Sequence, residues 1–93
     1  MDLQGRLLID EFVKQYPHSR SPLDKWAQET KKALWKNFPE IRQTFPSADY
    51  VAPFIVFNIG GNKFRLIALV IFKKGIVRVE QVLTHAQYDR WNP

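Results

Sequence analysis

The sequence predicts an α+β fold, with two N-terminal helices packed on one face of a small antiparallel sheet of three to four strands. Three observations predict it. Apolar residues recur at helical spacing through the first third of the chain. Alternating and continuous apolar runs, broken at Gly60-Gly61 and Lys74-Gly75, fill the second half. No repeat, low-complexity tract or linker divides the 93 residues, so residues 1–93 form one domain around one modest core.

The first helical pattern runs from Leu3 to Tyr16, with Leu7, Leu8, Phe12 and Tyr16 on one side and polar residues between. Pro17-His18-Ser19-Arg20 breaks it, because proline removes a backbone donor and its ring crowds the preceding turn. Ser21 then reads as an N-cap, with Pro22 at the first helical position and Asp24 at the third. Leu23, Trp26, Ala27, Thr30, Ala33 and Leu34 form the stripe of a second helix, which continues to Trp35. Lys25, Lys31, Lys32 and Lys36 lie away from the stripe. A short helical turn follows from Pro39 to Thr44, and Phe45-Pro46-Ser47-Ala48-Asp49 reads as a loop.

The strands follow. Phe54 to Ile59 alternates into Gly60-Gly61, a two-residue turn that tolerates positive φ. That turn sets Asn58 opposite Lys63 and Val56 opposite Arg65. A second turn at Lys74-Gly75 sets Ile71 opposite Arg78, Leu66 opposite Leu83 and Arg65 opposite Thr84. One face then collects Ile55, Phe57, Ile59, Phe64, Leu66, Ala68, Val70, Phe72, Val77, Val79 and Leu83, and must meet the helices. The open face collects Val56, Asn58, Lys63, Arg65, Ile67, Leu69, Arg78, Glu80, Val82 and Thr84. It is apolar in the middle and polar at its edge. A one-residue slip would bury Arg65 in the core, so the face assignment is strongly specified.

Composition narrows the function. A content of 45% hydrophobic and 14% aromatic residues excludes a disordered chain. The absence of cysteine excludes disulfides and thiolate metal sites and fits a cytoplasmic home. Asp2, Arg6 and Asp10 interrupt the apolar run that a signal peptide needs. The longest apolar run, Leu66 to Phe72, is far shorter than the about 20 residues of a membrane helix. Net charge is +5, and it is unevenly spread. Residues 1–50 carry eight Lys/Arg against seven Asp/Glu, whereas residues 51–93 carry six against two. A basic C-terminal half can attract nucleic acid through phosphate contacts and counterion release. The same excess also serves solubility.

The charge concentrates at one end of the open face, where Asn58, Lys63 and Arg65 cluster beside Thr84-His85. A helical turn over residues 84–91 would put His85 and Asp89 on one side at i, i+4, with Tyr88 adjacent. Arg78, on the same face, would extend a substrate-binding surface. Cleavage of RNA without a metal uses these residue types. A base removes the ribose 2′-hydroxyl proton, the oxygen attacks phosphorus, an acid protonates the leaving 5′-oxygen, and cations stabilise the added negative charge. Histidine suits either proton transfer. Arginine grips a phosphate with two parallel hydrogen bonds. A phenol can orient a hydroxyl or donate a proton.

Other residues read more simply. Trp26 and Trp35 fit packing, and His18 sits solvated in a break. Gly60-Gly61 lacks the lysine spacing of a phosphate loop. No group of histidines and acids has metal-ligand spacing, and no serine–histidine–acid arrangement is present. The sequence therefore calls for no cofactor and no metal.

The segment Val56-Phe57-Asn58-Ile59-Gly60-Gly61-Asn62-Lys63-Phe64-Arg65-Leu66, followed by Thr84-His85-Ala86-Gln87-Tyr88-Asp89, closely resembles the HigB-type toxins of the RelE superfamily. Phe45 to Asp49 and the Trp26/Trp35 helix are similar to that family too, so the resemblance covers nearly the whole chain. It implies a microbial-ribonuclease-like α+β domain. It further implies a type II toxin that cleaves mRNA, commonly on the ribosome and without a metal. The implied partner is a helix-turn-helix antitoxin, and DNA is contacted only through the complex with it. Carried over by motif, Lys63 and Arg65 would contact the scissile phosphate, and His85 and Tyr88 would lie at the cleavage site. Asn58, Asn62 and Asp89 would shape it. The chain departs from the family at its start, where Met1-Asp2-Leu3-Gln4-Gly5 reads poorly as the usual opening strand. A second reading is a non-catalytic RNA-binding or antitoxin-binding module of the same fold. His85 and Tyr88 favour the enzyme, because binding alone needs neither proton donor nor acceptor.

Overall fold

The computed structural model describes residues 1–93 and has the α+β class that the sequence predicts. The strands are β1 (Asp2–Gln4), β2 (Asp49–Val51), β3 (Phe54–Ile59), β4 (Phe64–Ile71) and β5 (Ile76–Thr84). The helices are α1 (Arg6–Gln15), α2 (Arg20–Lys32), α3 (Phe38–Thr44) and α4 (His85–Asp89). The sheet has five strands, not three to four, in the order β1-β5-β4-β3-β2. Only β1 runs parallel to its neighbour. The two unexpected strands are three residues each at the sheet's edges, too short to show alternation. Pairing with β5 and β3 makes them strands, so the doubt over Met1–Gly5 is resolved by tertiary contact.

Helix boundaries moved for local reasons. A 3-10 turn over Pro17–Ser19 runs directly into α2, so the helix starts at Arg20 and Ser21 lies inside it. Pro22 is tolerated there because first-turn amides have no intrahelical partner. The chain becomes extended at Ala33, which leaves Leu34 83% exposed and Trp35 in the linker, not on the helix of Trp26. Both tryptophans still reach Phe57: Trp26 at 5.3 Å, Trp35 at 6.5 Å, with Phe45 at 5.4 Å. These aromatic contacts centre the 17-residue core on the helix-facing side of β3. Asn37 caps α3 by accepting from the Glu40 amide at 3.0 Å.

Both hairpin registers differ from the expected ones. Ile59 pairs Phe64, so Gly60–Lys63 forms a four-residue connection, with φ of 63° and 70° at the two glycines. Asn58 therefore opposes Arg65, not Lys63. Ile71 pairs Ile76 across the second connection. Each shift is two residues, which preserves the faces. A β-bulge at Glu80 then changes β5: Ala68 pairs Val79, but Ile67 pairs Gln81. Beyond the bulge, Val82 joins the core and Leu83 opposes Arg65. Thr84 opposes Phe64, so the expected Arg65–Thr84 pair and the inward Leu83 are both corrected. A regular alternation cannot reveal an added residue, and Val82 and Leu83 fit either face equally well.

The bulge lies against Gly5, which links β1 to α1 at φ 82°. A Cβ there would fall 2.6 Å from the Val79 carbonyl oxygen. Only glycine accommodates both that conformation and that approach. The second sheet face is not open in its middle. Val56 and Ile67 are buried, and the C-terminal segment folds back so that Trp91 meets Phe54 at 5.8 Å. No helix is long and apolar enough to cross a membrane.

Candidate active site

Arg65 stands second in β4, on the face away from the helices, and is only 8% exposed. Its Nη1 donates to the Phe64 carbonyl at 3.1 Å, and Nη2 meets His85 Nδ1 at 3.3 Å. Its Cζ lies 5.4 Å from the Tyr88 ring centroid. The fold contains one arginine–carboxylate ion pair, Arg78–Glu80, and a His85–Asp89 contact that is ionic only when the imidazole is protonated; Arg65 belongs to neither. A buried guanidinium is normally paired with a carboxylate. Here it is held by a carbonyl, an imidazole and an aromatic face, which leaves its charge available to an anion.

The local sequence explains how His85 and Tyr88 reach it. Thr84 ends β5 and caps α4. Its hydroxyl accepts from the Gln87 amide at 3.2 Å, and the Gln87 side chain accepts from the Thr84 amide at 2.9 Å. The His85 amide donates to the Lys63 carbonyl at 3.0 Å, tying α4 to the β3–β4 connection. One helical turn later Tyr88 stacks on Trp91 at 5.7 Å and 21°. Phe54, Trp91, Tyr88 and Arg65 thus form a continuous pile across the second face. His85 Nε2 lies 3.7 Å from Asp89 Oδ2, and both side chains are more than half exposed. Because arginine only donates, the Arg65 contact makes Nδ1 an acceptor. In neutral imidazole the proton then sits on Nε2, toward Asp89.

The other sequence candidates divide between near and far. Asn58 pairs Arg65 across β3–β4 and lines a pocket with it. Lys63 and Asn62 are exposed in the connection that His85 touches. Arg78 lies opposite Leu69, four residues or roughly 13 Å along β4 from Arg65. Its Nε is bound to Glu80 Oε1 at 3.0 Å, so the structure does not bring it to the cluster.

Three further residues join the site without having been read from the sequence. Arg42, Ser47 and Asp49 line a pocket of about 370 Å³ together with Asn58, Arg65 and Tyr88. Arg42 donates from Nε (3.2 Å) and Nη2 (3.0 Å) to the Pro46 carbonyl, which fixes the turn carrying Ser47. No sequence signal marks Asp49: its pairing with Val56, which sets it on Arg65's face, is made by a three-residue strand. No three histidine, aspartate or glutamate side chains converge anywhere in the fold.

The arrangement offers a buried cation, a second, exposed cation, an imidazole and a phenol around one exposed rim. A family model described as HigB_toxin, RelE-like toxic component of a toxin-antitoxin system, matches residues 19–91. The mRNA interferase toxin HigB of Escherichia coli K12 is 29% identical over 92 residues, covering 96% of this chain and 88% of its own. The mRNA interferase HigB of Shigella flexneri gives the same figures. That of Escherichia coli O6:H1 is 27% identical over 93 residues, covering 97% and 90%.

Proposed function

This chain belongs to the HigB toxin family, the RelE-like toxic component of a toxin–antitoxin system, and on that premise we propose that it is an mRNA endoribonuclease acting at Arg65. The observation that carries the reading is the buried guanidinium with no carboxylate partner, held between His85 and Tyr88. The substrate phosphate supplies the missing anion. Arg65 would hold its two non-bridging oxygens, and Lys63 would add a second positive charge from the exposed rim.

The chemistry follows from the residues. One proton-transfer group takes the 2′-hydroxyl proton, and the 2′-oxygen forms a bond to phosphorus. The bond from phosphorus to the 5′-oxygen breaks, and the second group returns a proton to that oxygen. The products are a 2′,3′-cyclic phosphate and a 5′-hydroxyl. His85 and Tyr88 form the proton-transfer pair, since both lie against the Arg65 guanidinium that would hold the phosphate. Asp89 orients that imidazole, and Asn58 and Asn62 shape the walls. The cationic groups take the place of a metal in offsetting the transition-state charge.

The setting follows from the family. The antitoxin partner would carry a helix-turn-helix domain, and DNA would be met only through the toxin–antitoxin complex. The substrate would be mRNA on ribosomes in the cytoplasm. Expression of the chain should arrest growth and leave cleaved mRNA with 2′,3′-cyclic phosphate ends, with chelator present or absent. Ends bearing 5′-phosphates, or a strict magnesium requirement, would reject the mechanism.

A further inference from the structure

We propose that the free edge of β5 is the surface on which the antitoxin docks, by adding an extended segment that carries apolar residues and a basic one. The inference needs only the family's antitoxin partner, and it holds whether or not Arg65 cleaves RNA. The strand β5 runs from Ile76 to Thr84, but β1 pairs only Ile76–Arg78. Gly5 then leaves the sheet against Val79, and α1 begins at Arg6. The neighbours of β5 are β1 and β4 alone, so no strand lies beside Glu80–Leu83 on the β1 side. No backbone hydrogen bond from a turn, loop or cap reaches that segment either. An unpaired edge offers backbone donors and acceptors, and an extended chain satisfies them by joining the sheet.

Apolar area and charge identify the occupant. Leu8 and Phe12 of α1 line a groove of about 260 Å³ with Val82 and Leu83. Leu8 is 39% exposed and Leu7 beside it 68%. The groove falls below the about 300–1,000 Å³ of small-molecule sites, which suits side chains of a docked segment better than a separate ligand. Its charged lining residues are Glu11 and Glu80, both acidic, although the chain carries +5. Two carboxylates repel RNA phosphates, so the groove does not extend the substrate surface. A second copy of the chain fits no better, because a two-fold pairing of this edge would gather the Glu11 and Glu80 of both copies at one interface. A protein segment with a lysine or arginine beside apolar residues meets every feature. Its backbone pairs with Glu80–Leu83, its apolar side chains cover Leu8 and Val82, and its cation faces Glu11. Glu80 already shares its charge with Arg78 at 3.0 Å, so Glu11 carries most of the electrostatic contrast.

The test uses the full chain and its cognate antitoxin. Amide exchange is read residue by residue in the wild-type chain, free and in the complex. Antitoxin affinity is measured for the wild type, Leu8→Lys, Glu11→Lys and Leu34→Lys, with circular dichroism checking each fold. Leu34, 83% exposed beyond α2, is the control for an apolar side chain outside the groove. We expect the complex to slow exchange at Glu80–Leu83. Leu8→Lys should raise the dissociation constant about tenfold or more. Glu11→Lys should raise it severalfold at low salt and less at high salt, and Leu34→Lys should leave it unchanged. Unaltered exchange at Glu80–Leu83 in the complex would overturn the proposal, whatever the variants do. So would wild-type affinity in both folded groove variants, or an equal loss in all three. Slowed exchange that appears in the free chain as its concentration rises would assign the edge to a second copy and overturn it too. RNA cleavage by the wild type is scored separately, and its absence would sink the ribonuclease reading while leaving the docking surface in place.

Discussion

Arg65 Nη2 and His85 Nδ1 meet at 3.3 Å, although twenty residues separate them in the chain. The contact fixes three things at once. It orients the guanidinium, it selects the imidazole nitrogen that faces solvent, and it joins β4 to α4. The donor is a planar fork with one arm on a backbone carbonyl and one on the ring. An ammonium group cannot span both positions and still lie over Tyr88.

Arg65→Lys should therefore behave like Arg65→Ala. Both are expected to abolish growth arrest on expression while retaining the helical and strand signals in circular dichroism. The measurement is colony formation after induction, with soluble protein quantified alongside. A folded Arg65→Ala chain that remains fully toxic would remove Arg65 from the mechanism.

Tyr88 separates position from chemistry. Tyr88→Phe keeps the ring between Trp91 and Arg65 and loses only the hydroxyl. If that hydroxyl transfers a proton, kcat should fall about 10²-fold or more with little change in KM. Tyr88→Ala removes the ring as well, so KM should rise along with the fall in kcat. Identical kinetics for Tyr88→Phe and wild type would restrict Tyr88 to packing.

The helical first third and the strand-rich second half were legible because each buries one face, and burial imposes a period. The approach of Asn58 to Arg65 was legible too, since a two-residue register shift conserves faces, and His85 follows because β5 ends beside the start of β4 in either register. What could not be read was set by contacts without a period. The bulge at Glu80 inverts Val82 and Leu83, two residues of nearly equal hydrophobicity. The strands β1 and β2 are defined by their partners. Arg42 and Asp49 reach the site through β2 and the turn at Pro46, so their membership depended on a strand too short to predict.

Lys63 sits on the exposed connection that touches His85 only through its backbone. Its charge can reach a phosphate without shaping the site. Lys63→Ala should weaken RNA binding and lower the slope of log K against log salt by about 0.7 for single-stranded RNA. The deficit is then largest at low salt and shrinks as salt rises. Binding isotherms at several salt concentrations measure the slope, and an unchanged slope would count against a phosphate contact.

Gly5 tests the frame that carries the site. Its φ of 82° is a left-handed conformation, and an added Cβ would lie 2.6 Å from the Val79 carbonyl oxygen and 3.1 Å from the Val79 amide nitrogen. The obstructing atoms are backbone in the middle of β5, so neither can rotate away. Relief would require β1 to separate from β5 or the bulge at Glu80 to shift. A shift of the bulge would change which face of β5 presents Leu83 to Arg65. Gly5→Ala should cost about 2 kcal/mol or more, which for a domain of this size lowers Tm by roughly 10 °C. Thermal unfolding followed by circular dichroism measures it. A Tm within a degree of wild type would mean that β1 leaves the sheet edge at little cost, and that the parallel β1–β5 pairing contributes little to holding β5 in register.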